Sequence, residues 1–325
     1  MSDSISTNLG LALVRVTEAS ALQAGRWMGR GDRGEADQVA TSAMAKALNT
    51  LDINGLIVVG EEQKSHQPSL LESGRRVGTG NGPDMDVVVD PIDGKRMLAE
   101  GRSGAIAVAA VAPRGAMWSP SHALYMEKMV VNADAAHALV PECLDAPAAW
   151  TLGLVARVKK KAVRDLVVFV LDRPRHAHLI EEIRTAGARV MLRGDGDIAG
   201  ALMAASRRSS VDILMGIGGV PEGIIAACAV RCLRGAMLAR LAPQTEHERS
   251  GILDAGIGLG RILSCKEMIN SEQVFFTATG IADGPLLDGV RYEGHMAETH
   301  SLVLRAETGT RRIIHADHLL SESEE

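Results

Sequence analysis

Three short apolar runs in this chain each lead into an acidic residue, and no other feature constrains the fold as tightly. Leu56 to Val59 runs into Gly60-Glu61-Glu62. Val87 to Val89 runs into Asp90-Pro91-Ile92-Asp93-Gly94. Ile213 to Met215 runs through Gly216-Ile-Gly-Gly219 into Pro221-Glu222-Gly223. Each run reads as a short buried strand. In open α/β sheets the carboxyl ends of the strands line the ligand crevice. Carboxylates gathered there repel one another unless a cation neutralises them. Hard divalent cations such as Mg²⁺ and Mn²⁺ take oxygen ligands and bridge phosphate oxygens. Two such ions stabilise the attacking water and the leaving oxygen of a phosphate ester. A lone acid after a strand is ordinarily a turn residue or a helix cap. Asp-Pro-Ile-Asp-Gly is more specific: two acids around a Pro that fixes the turn and a Gly that ends it.

The remaining chain supports layers of strand and helix. An amphipathic helix is expected over Leu9 to Met28, ended by Gly29-Arg-Gly-Asp32, and a second from about Glu35 to Leu51. Strands are expected at Gly55 to Gly60, Asp86 to Asp90, Ala105 to Val111, Val167 to Leu171, Arg189 to Leu192 and Asp212 to Met215. Further strands are expected at Val274 to Thr277, Leu302 to Leu304 and Arg312 to Ile314, and helices at His178 to Ala186 and Glu222 to Leu233. This alternation argues for an α/β class of fold. The Ala- and Pro-rich stretch Pro141 to Lys161 reads as a seam, giving an N-terminal subdomain over 1–150 and a C-terminal one over 151–325.

Composition narrows the function. The chain has 325 residues, 46% hydrophobic and 23% charged, with a net charge of -5. Acids and bases are mixed along it, so neither a nucleic-acid groove nor an anionic membrane is indicated. Aromatics are only 2%, so Val, Ile, Leu, Met and Ala must fill the core. No apolar run approaches the roughly 20 residues that span a bilayer. Met1 to Asn8 lacks the order of a signal peptide. Cys143, Cys228, Cys232 and Cys265 have no metal-finger spacing and read as buried free thiols, which fits a reducing cytoplasm.

Gly60-Glu61 with Asp90-Pro-Ile-Asp-Gly94 resembles the metal signature of the inositol-monophosphatase and fructose-bisphosphatase superfamily. The nearer resemblance is to class II fructose-1,6-bisphosphatases. It extends through Arg15-Val-Thr-Glu18, Gly29-Arg-Gly-Asp32, Val77-Gly-Thr-Gly80, Val111-Ala-Pro-Arg-Gly115 and Tyr125-Met-Glu-Lys128. It continues in Arg173-Pro-Arg-His176, Asp195-Gly-Asp197, Gly216-Ile-Gly-Gly-Val-Pro-Glu-Gly223, Ala278-Thr-Gly280 and Ala297-Glu-Thr299. The resemblance implies a layered α/β/α/β/α sandwich of two packed subdomains, a homodimer or homotetramer, and Mg²⁺ or Mn²⁺ as cofactor. It implies that Asp37 and Glu61 hold one metal, that Asp90 and Asp93 hold another, and that Glu222 lies close to both. It assigns Asp93, Gly94, Tyr125, Arg173, Arg175, Asp195, Asp197 and Gly219 to the substrate, a sugar phosphate. Two arginines suit a phosphate through bidentate hydrogen bonds, acids such as Asp195 and Asp197 suit sugar hydroxyls, and Gly218 and Gly219 allow close approach of backbone to a ligand.

The chain also departs from the family. Gln63 and Ser65 stand where the family has acids, Lys95 where it has a water-orienting Thr, and Arg33 where it commonly has Lys. Residues 119–123 also depart from the family's stretch before the tyrosine. Glu61, Gln63, Ser65, Asp90 and Lys95 are therefore the candidate catalytic positions. A neutral Gln is a poor anionic base or ligand. An ammonium at Lys95 would repel a cation, replace one, or hold a phosphate directly. The expected activity is hydrolysis of a phosphomonoester of a sugar bisphosphate. Two alternatives stay open: a non-catalytic paralogue that binds a sugar phosphate or a partner, and different sugar-phosphate chemistry using Lys95 as acid, base or Schiff-base amine.

Overall fold

The computed structural model describes residues 8–60, 69–120 and 122–320. No helix among them is long and apolar enough to cross a membrane. The chain divides into two compact units, one of Met1–Gly115 with Glu272–Glu325 and one of Ala116–Ser271. This division follows pairing rather than sequence order and differs from the expected break near residue 150.

The first segment of unit one supplies α1 (Leu9–Gly25), α2 (Arg33–Leu48), β1 (Asn54–Val59), β2 (Arg76–Val77), β3 (Asp84–Asp93), α3 (Lys95–Ala99) and β4 (Ile106–Pro113). Unit two contributes β5 (Tyr125–Val131), α4 (Ala148–Lys159), β6 (Val167–Leu171), α5 (Ala177–Thr185), β7 (Arg189–Arg193) and α6 (Asp197–Ala205). It continues with β8 (Ile213–Gly219), α7 (Val220–Leu233), β9 (Ala236–Leu241), α8 (Glu246–Asp254), β10 (Leu263–Ser264) and α9 (Cys265–Met268). The last segment returns to unit one with β11 (Phe275–Gly280), β12 (Arg291–Glu293), β13 (Met296–Arg305) and β14 (Thr310–Leu319).

Among the described residues, unit one holds a sheet in the order β12-β13-β11-β4-β3-β1-β2, with β14 paired to β13. Unit two holds a sheet in the order β10-β9-β5-β8-β6-β7. Both are mixed: β1 runs parallel to β3, and β6 runs parallel to both β7 and β8, while the other pairs are antiparallel. Two mixed sheets with helices are the α/β class that the alternation predicts.

Central strands explain the continuous apolar runs. β4 is buried at every residue but its last, and β3 at every residue but its first. A strand covered on both faces has no polar side to display. In unit one, Leu13 and Val16 from α1, Met44 and Leu48 from α2, and Val87, Val89, Val111 and Phe275 from the sheet share one core. In unit two, Leu152 and Val155 from α4 and Ile183 from α5 pack with Val168, Val170 and Ile213. All four cysteines are buried and free, as expected.

Three differences from the sequence expectation have physical causes. The stretch 141–161 is not a seam. Its α4 buries Leu152 and Val155, and Lys159 and Lys161 both reach the buried Asp212, at 2.8 and 2.7 Å. Burial pushes the Asp212 carboxyl up, but the two ammonium groups outweigh it and hold the carboxyl below its ordinary range. Second, β3 does not stop at Pro91. It continues to Asp93 across an irregularity in which Asp90 pairs with Val108 and Asp93 with Ile106. Such a bulge is one of the few places where a sheet accepts proline. Third, β13 and β14 are ten residues each, paired from Met296↔Leu319 to Arg305↔Thr310. Most of β14 is exposed, so it carried little apolar signal.

Candidate active site

In unit one, candidate residues gather where β3 meets α3. Asp90 and Asp93 lie in the bulge at the carboxyl end of β3, with only 5% and 3% of their surface exposed. Asp90 Oδ1 accepts from the Ile92 amide at 3.0 Å, which fixes the turn around Pro91. Gly94 follows with φ of 101°, in the left-handed region where glycine carries no penalty. A side chain there would also press on Met97 and Ala105. Lys95 opens α3, and its Nζ sits 2.8 Å from Oδ1 of Asp37 on α2. The N-terminus of α2 is fixed by Asp32, whose side chain accepts from the Glu35 amide at 3.0 Å. Glu61, Gln63 and Ser65 lie outside the described residues.

The donor chemistry separates these acids with respect to a metal. Asp90 and Asp93 are oxygen donors, buried and adjacent in one bulge, and suit a hard divalent cation. Asp37 does not suit one equally well, because an ammonium already occupies its carboxylate. Among the described residues, no group of three or more His, Cys, Asp or Glu side chains is arranged to hold a metal.

In unit two, the other candidates share one end of the sheet. β6, β7 and β8 run parallel, so the segments after Leu171, Arg193 and Gly219 leave at the same end. β5 is antiparallel to β8 and places Tyr125 directly opposite Gly219. Tyr125, Arg173, Arg175, Asp195, Asp197 and Gly219 are thus brought to the carboxyl ends of the parallel strands, as the crevice rule requires. Arg173 Nη2 lies 3.6 Å from Asp195 Oδ1. Arg175 stacks its guanidinium over the Tyr125 ring, 5.3 Å from the centroid. It also donates from Nε and Nη2 to the Ile217 carbonyl, at 3.2 and 2.9 Å. Glu222 stands in the first turn of α7.

Several supporting residues went unassigned in the sequence reading. Lys128 is fully buried in β5 and paired with Asp197. Asp197 is therefore neutralised by a lysine as well as being a candidate acceptor for sugar hydroxyls. A lysine inside an apolar strand is the signal that could have revealed this pair. His176 links the Arg173–Arg175 turn to β8. Its Nε2 accepts from the Ile217 amide at 2.8 Å, so its Nδ1 carries the proton and donates to the Leu171 carbonyl at 2.7 Å. Burial, helped by Arg175 and Lys128, holds its pKa below the ordinary histidine value. Glu248 fixes the start of β5, accepting from the Leu124 and Tyr125 amides at 2.8 and 2.9 Å. The glycines of β8 make room for neighbouring carboxylates: a methyl at Gly218 would collide with Asp197 and Lys128, and one at Gly219 with Glu222.

Comparison with known proteins finds relatives along nearly the whole chain. Residues 7–318 match the model of a family described as bacterial fructose-1,6-bisphosphatase, glpX-encoded. The chain is 38% identical over 329 residues to fructose-1,6-bisphosphatase 1 class 2 of Escherichia coli K12, covering 97% of this chain and 96% of that one. The class 2 fructose-1,6-bisphosphatases of Escherichia coli O6:H1 and Shigella flexneri match with the same identity and coverage. The chain belongs to the bacterial, glpX-encoded class II fructose-1,6-bisphosphatase family.

Proposed function

We propose that this protein hydrolyses a phosphomonoester of a sugar bisphosphate, taking fructose 1,6-bisphosphate and water to fructose 6-phosphate and phosphate. The observation that carries the reading is a 38% identity to a class 2 fructose-1,6-bisphosphatase that spans 97% of the chain. A divalent cation, Mg²⁺ or Mn²⁺, supplies Lewis-acid stabilisation of charge on phosphate oxygens when bound. Asp90 and Asp93 are the residues to hold it, and their burial keeps the carboxylates fixed. Glu222, on the first turn of α7, is an oxygen donor of the kind a hard divalent cation takes.

The sugar phosphate is held by unit-two residues. Arg173 is the more loosely held member of the arginine pair: its 3.6 Å to Asp195 is long for a hydrogen bond, so a phosphate can compete for the guanidinium. Arg175 is oriented by the Ile217 carbonyl and the Tyr125 ring, which reduces the entropy lost on gripping an anion. Asp195 accepts from a sugar hydroxyl once Arg173 turns to the phosphate. In the reaction the P–O bond to the sugar breaks, the oxygen of water takes its place on phosphorus, and a proton ends on the sugar hydroxyl. Nothing favours the Schiff-base alternative, since Lys95 is engaged as an ion pair with Asp37. A cytoplasmic, gluconeogenic setting and a homo-oligomeric state are further parts of the proposal, and the family likeness supports them.

Phosphate release from a panel of sugar phosphates, with Mg²⁺ and Mn²⁺ supplied separately, tests the reading. Fructose 1,6-bisphosphate should rank first by kcat/KM, and Asp90→Asn should lower the rate by at least a hundredfold. Release that is indifferent to Asp90→Asn would reject the assignment.

A further inference from the structure

We propose that the Lys95 ammonium is a built-in replacement for one divalent cation, so that this protein binds fewer metal ions per chain than its own acidic residues would otherwise support. The inference rests on the phosphatase reading only for the idea that Asp37 faces a metal site. The rest is geometry.

Lys95 Nζ lies 2.8 Å from Asp37 Oδ1, hydrogen-bond distance for a charge-assisted pair. Both side chains are partly shielded, at 29% and 37% exposed, which keeps the contact from being fully screened. The lysine is not placed there to favour its own helix. It is the first residue of α3, where amide hydrogens point outward and a cation is disfavoured, and no acid stands in that turn. Its ammonium is turned to Asp37. A divalent ion on the same carboxylate would meet a fixed positive charge within a few ångströms.

Further basic groups gather on Glu100, five residues after Lys95. Arg96, beside Lys95, reaches Glu100 at 2.8 Å, and Arg102 and Arg33 reach the same carboxylate at 3.5 and 3.7 Å. The Arg96 hydrogen bond, with charge from Arg102 and Arg33, holds the Glu100 carboxyl below its ordinary range. Arg33 lies one turn before Asp37 on α2. Three arginines thus meet Glu100, while Lys95 meets Asp37. Asp90 and Asp93, buried in the β3 bulge, are the oxygen donors proposed above for a divalent ion. The lysine supplies one fixed positive charge at the Asp37 position, available without any metal and insensitive to chelators.

The test counts metal ions without substrate. Mn²⁺ bound to the native full-length chain and to Lys95→Thr is measured by equilibrium dialysis, with Mn²⁺ electron paramagnetic resonance as a second readout. Lys95→Met serves if the threonine variant folds poorly. Removal of the ammonium should add about one Mn²⁺ per chain, or tighten the weakest site by at least tenfold. Asp37→Asn should then abolish that added binding in the Lys95→Thr background and leave the native count unchanged. Equal counts and equal affinities in native and Lys95-substituted chains would overturn the proposal. An enzyme that releases phosphate yet shows equal counts refutes the lysine inference alone. A raised count in Lys95→Thr with no phosphatase activity in either chain sustains it and refutes the activity.

Discussion

Arg173 and Arg175 stand two residues apart and carry different loads. Arg175 is tied to the Ile217 carbonyl and the Tyr125 ring, whereas Arg173 meets Asp195 at a loose 3.6 Å. Arg173→Ala should therefore change thermal stability little, since the pair is partly exposed and long, and surface ion pairs contribute about 0–1 kcal/mol. It should raise KM for the bisphosphate roughly 10- to 100-fold, the worth of about 1.5–3 kcal/mol for hydrogen bonds to a charged group. Steady-state kinetics with a parallel melting curve checks this, and an unchanged KM would remove Arg173 from the phosphate site. At this scale Asp90-Pro-Ile-Asp-Gly94 could be singled out from residue type and spacing, whereas Arg173-Pro-Arg175 stood out only through the family resemblance. Lys128 and Glu248 were not, because their partners are distant in sequence and their burial is a tertiary fact. Gly218 and Gly219 were read as giving backbone access to a ligand. The structure shows them making space for Asp197, Lys128 and Glu222.

The turn between β6 and α5 depends on His176, which joins the Leu171 carbonyl to the Ile217 amide. His176→Phe removes the ring partner of the half-buried Ile217 amide, while the Leu171 carbonyl keeps the Arg173 amide at 2.9 Å, and should cost about 1–3 kcal/mol, the penalty for one unsatisfied group. It should also raise KM, since Arg175 grips the carbonyl of the same Ile217. The pH dependence has a definite sign. The folded-state pKa of His176 lies below its ordinary value of 6.5, so the folded protein favours the neutral ring. The unfolded chain takes up the proton first as pH falls. The stability from this residue is thus complete above about pH 6.5, and is lost as pH drops from there through the folded value. Denaturant unfolding of native protein and His176→Phe between pH 5 and 8 checks it: the gap between them should narrow towards the acid end. A constant gap would contradict a buried neutral histidine. Elements were legible in proportion to their apolar continuity. β6 was placed at its observed bounds because it is central and apolar throughout. β5 was not foreseen, since Glu127 and Lys128 interrupt its apolar pattern. β3 was placed too short, because the proline that ordinarily ends a strand here sits in a bulge.

Across the whole molecule the two separate segments of unit one are joined by β-pairing. β11 pairs with β4 across more than half the sequence, from Phe275↔Val111 to Gly280↔Ile106. Ala116–Ser271 is thereby set off as a continuous unit with joined ends: Met117 bridges Ile269, and the Trp118 amide donates to the Met268 carbonyl at 2.8 Å. With its own sheet and core, residues 116–271 should fold in isolation and melt cooperatively by circular dichroism. A non-cooperative melt would show that the unit depends on unit one. Such a boundary is hidden from composition, which pointed instead to the Ala- and Pro-rich stretch, because pairing between distant segments leaves no local mark. The α/β class was legible from the order of strands and helices alone. The activity tests the account most directly, and ³¹P nuclear magnetic resonance of fructose 1,6-bisphosphate incubated with the protein and Mg²⁺ or Mn²⁺ measures it. The account predicts loss of the C1 phosphate signal, growth of inorganic phosphate in equal amount, and retention of the C6 phosphate, all absent with Asp90→Asn. A spectrum unchanged by the native protein with either metal would contradict it.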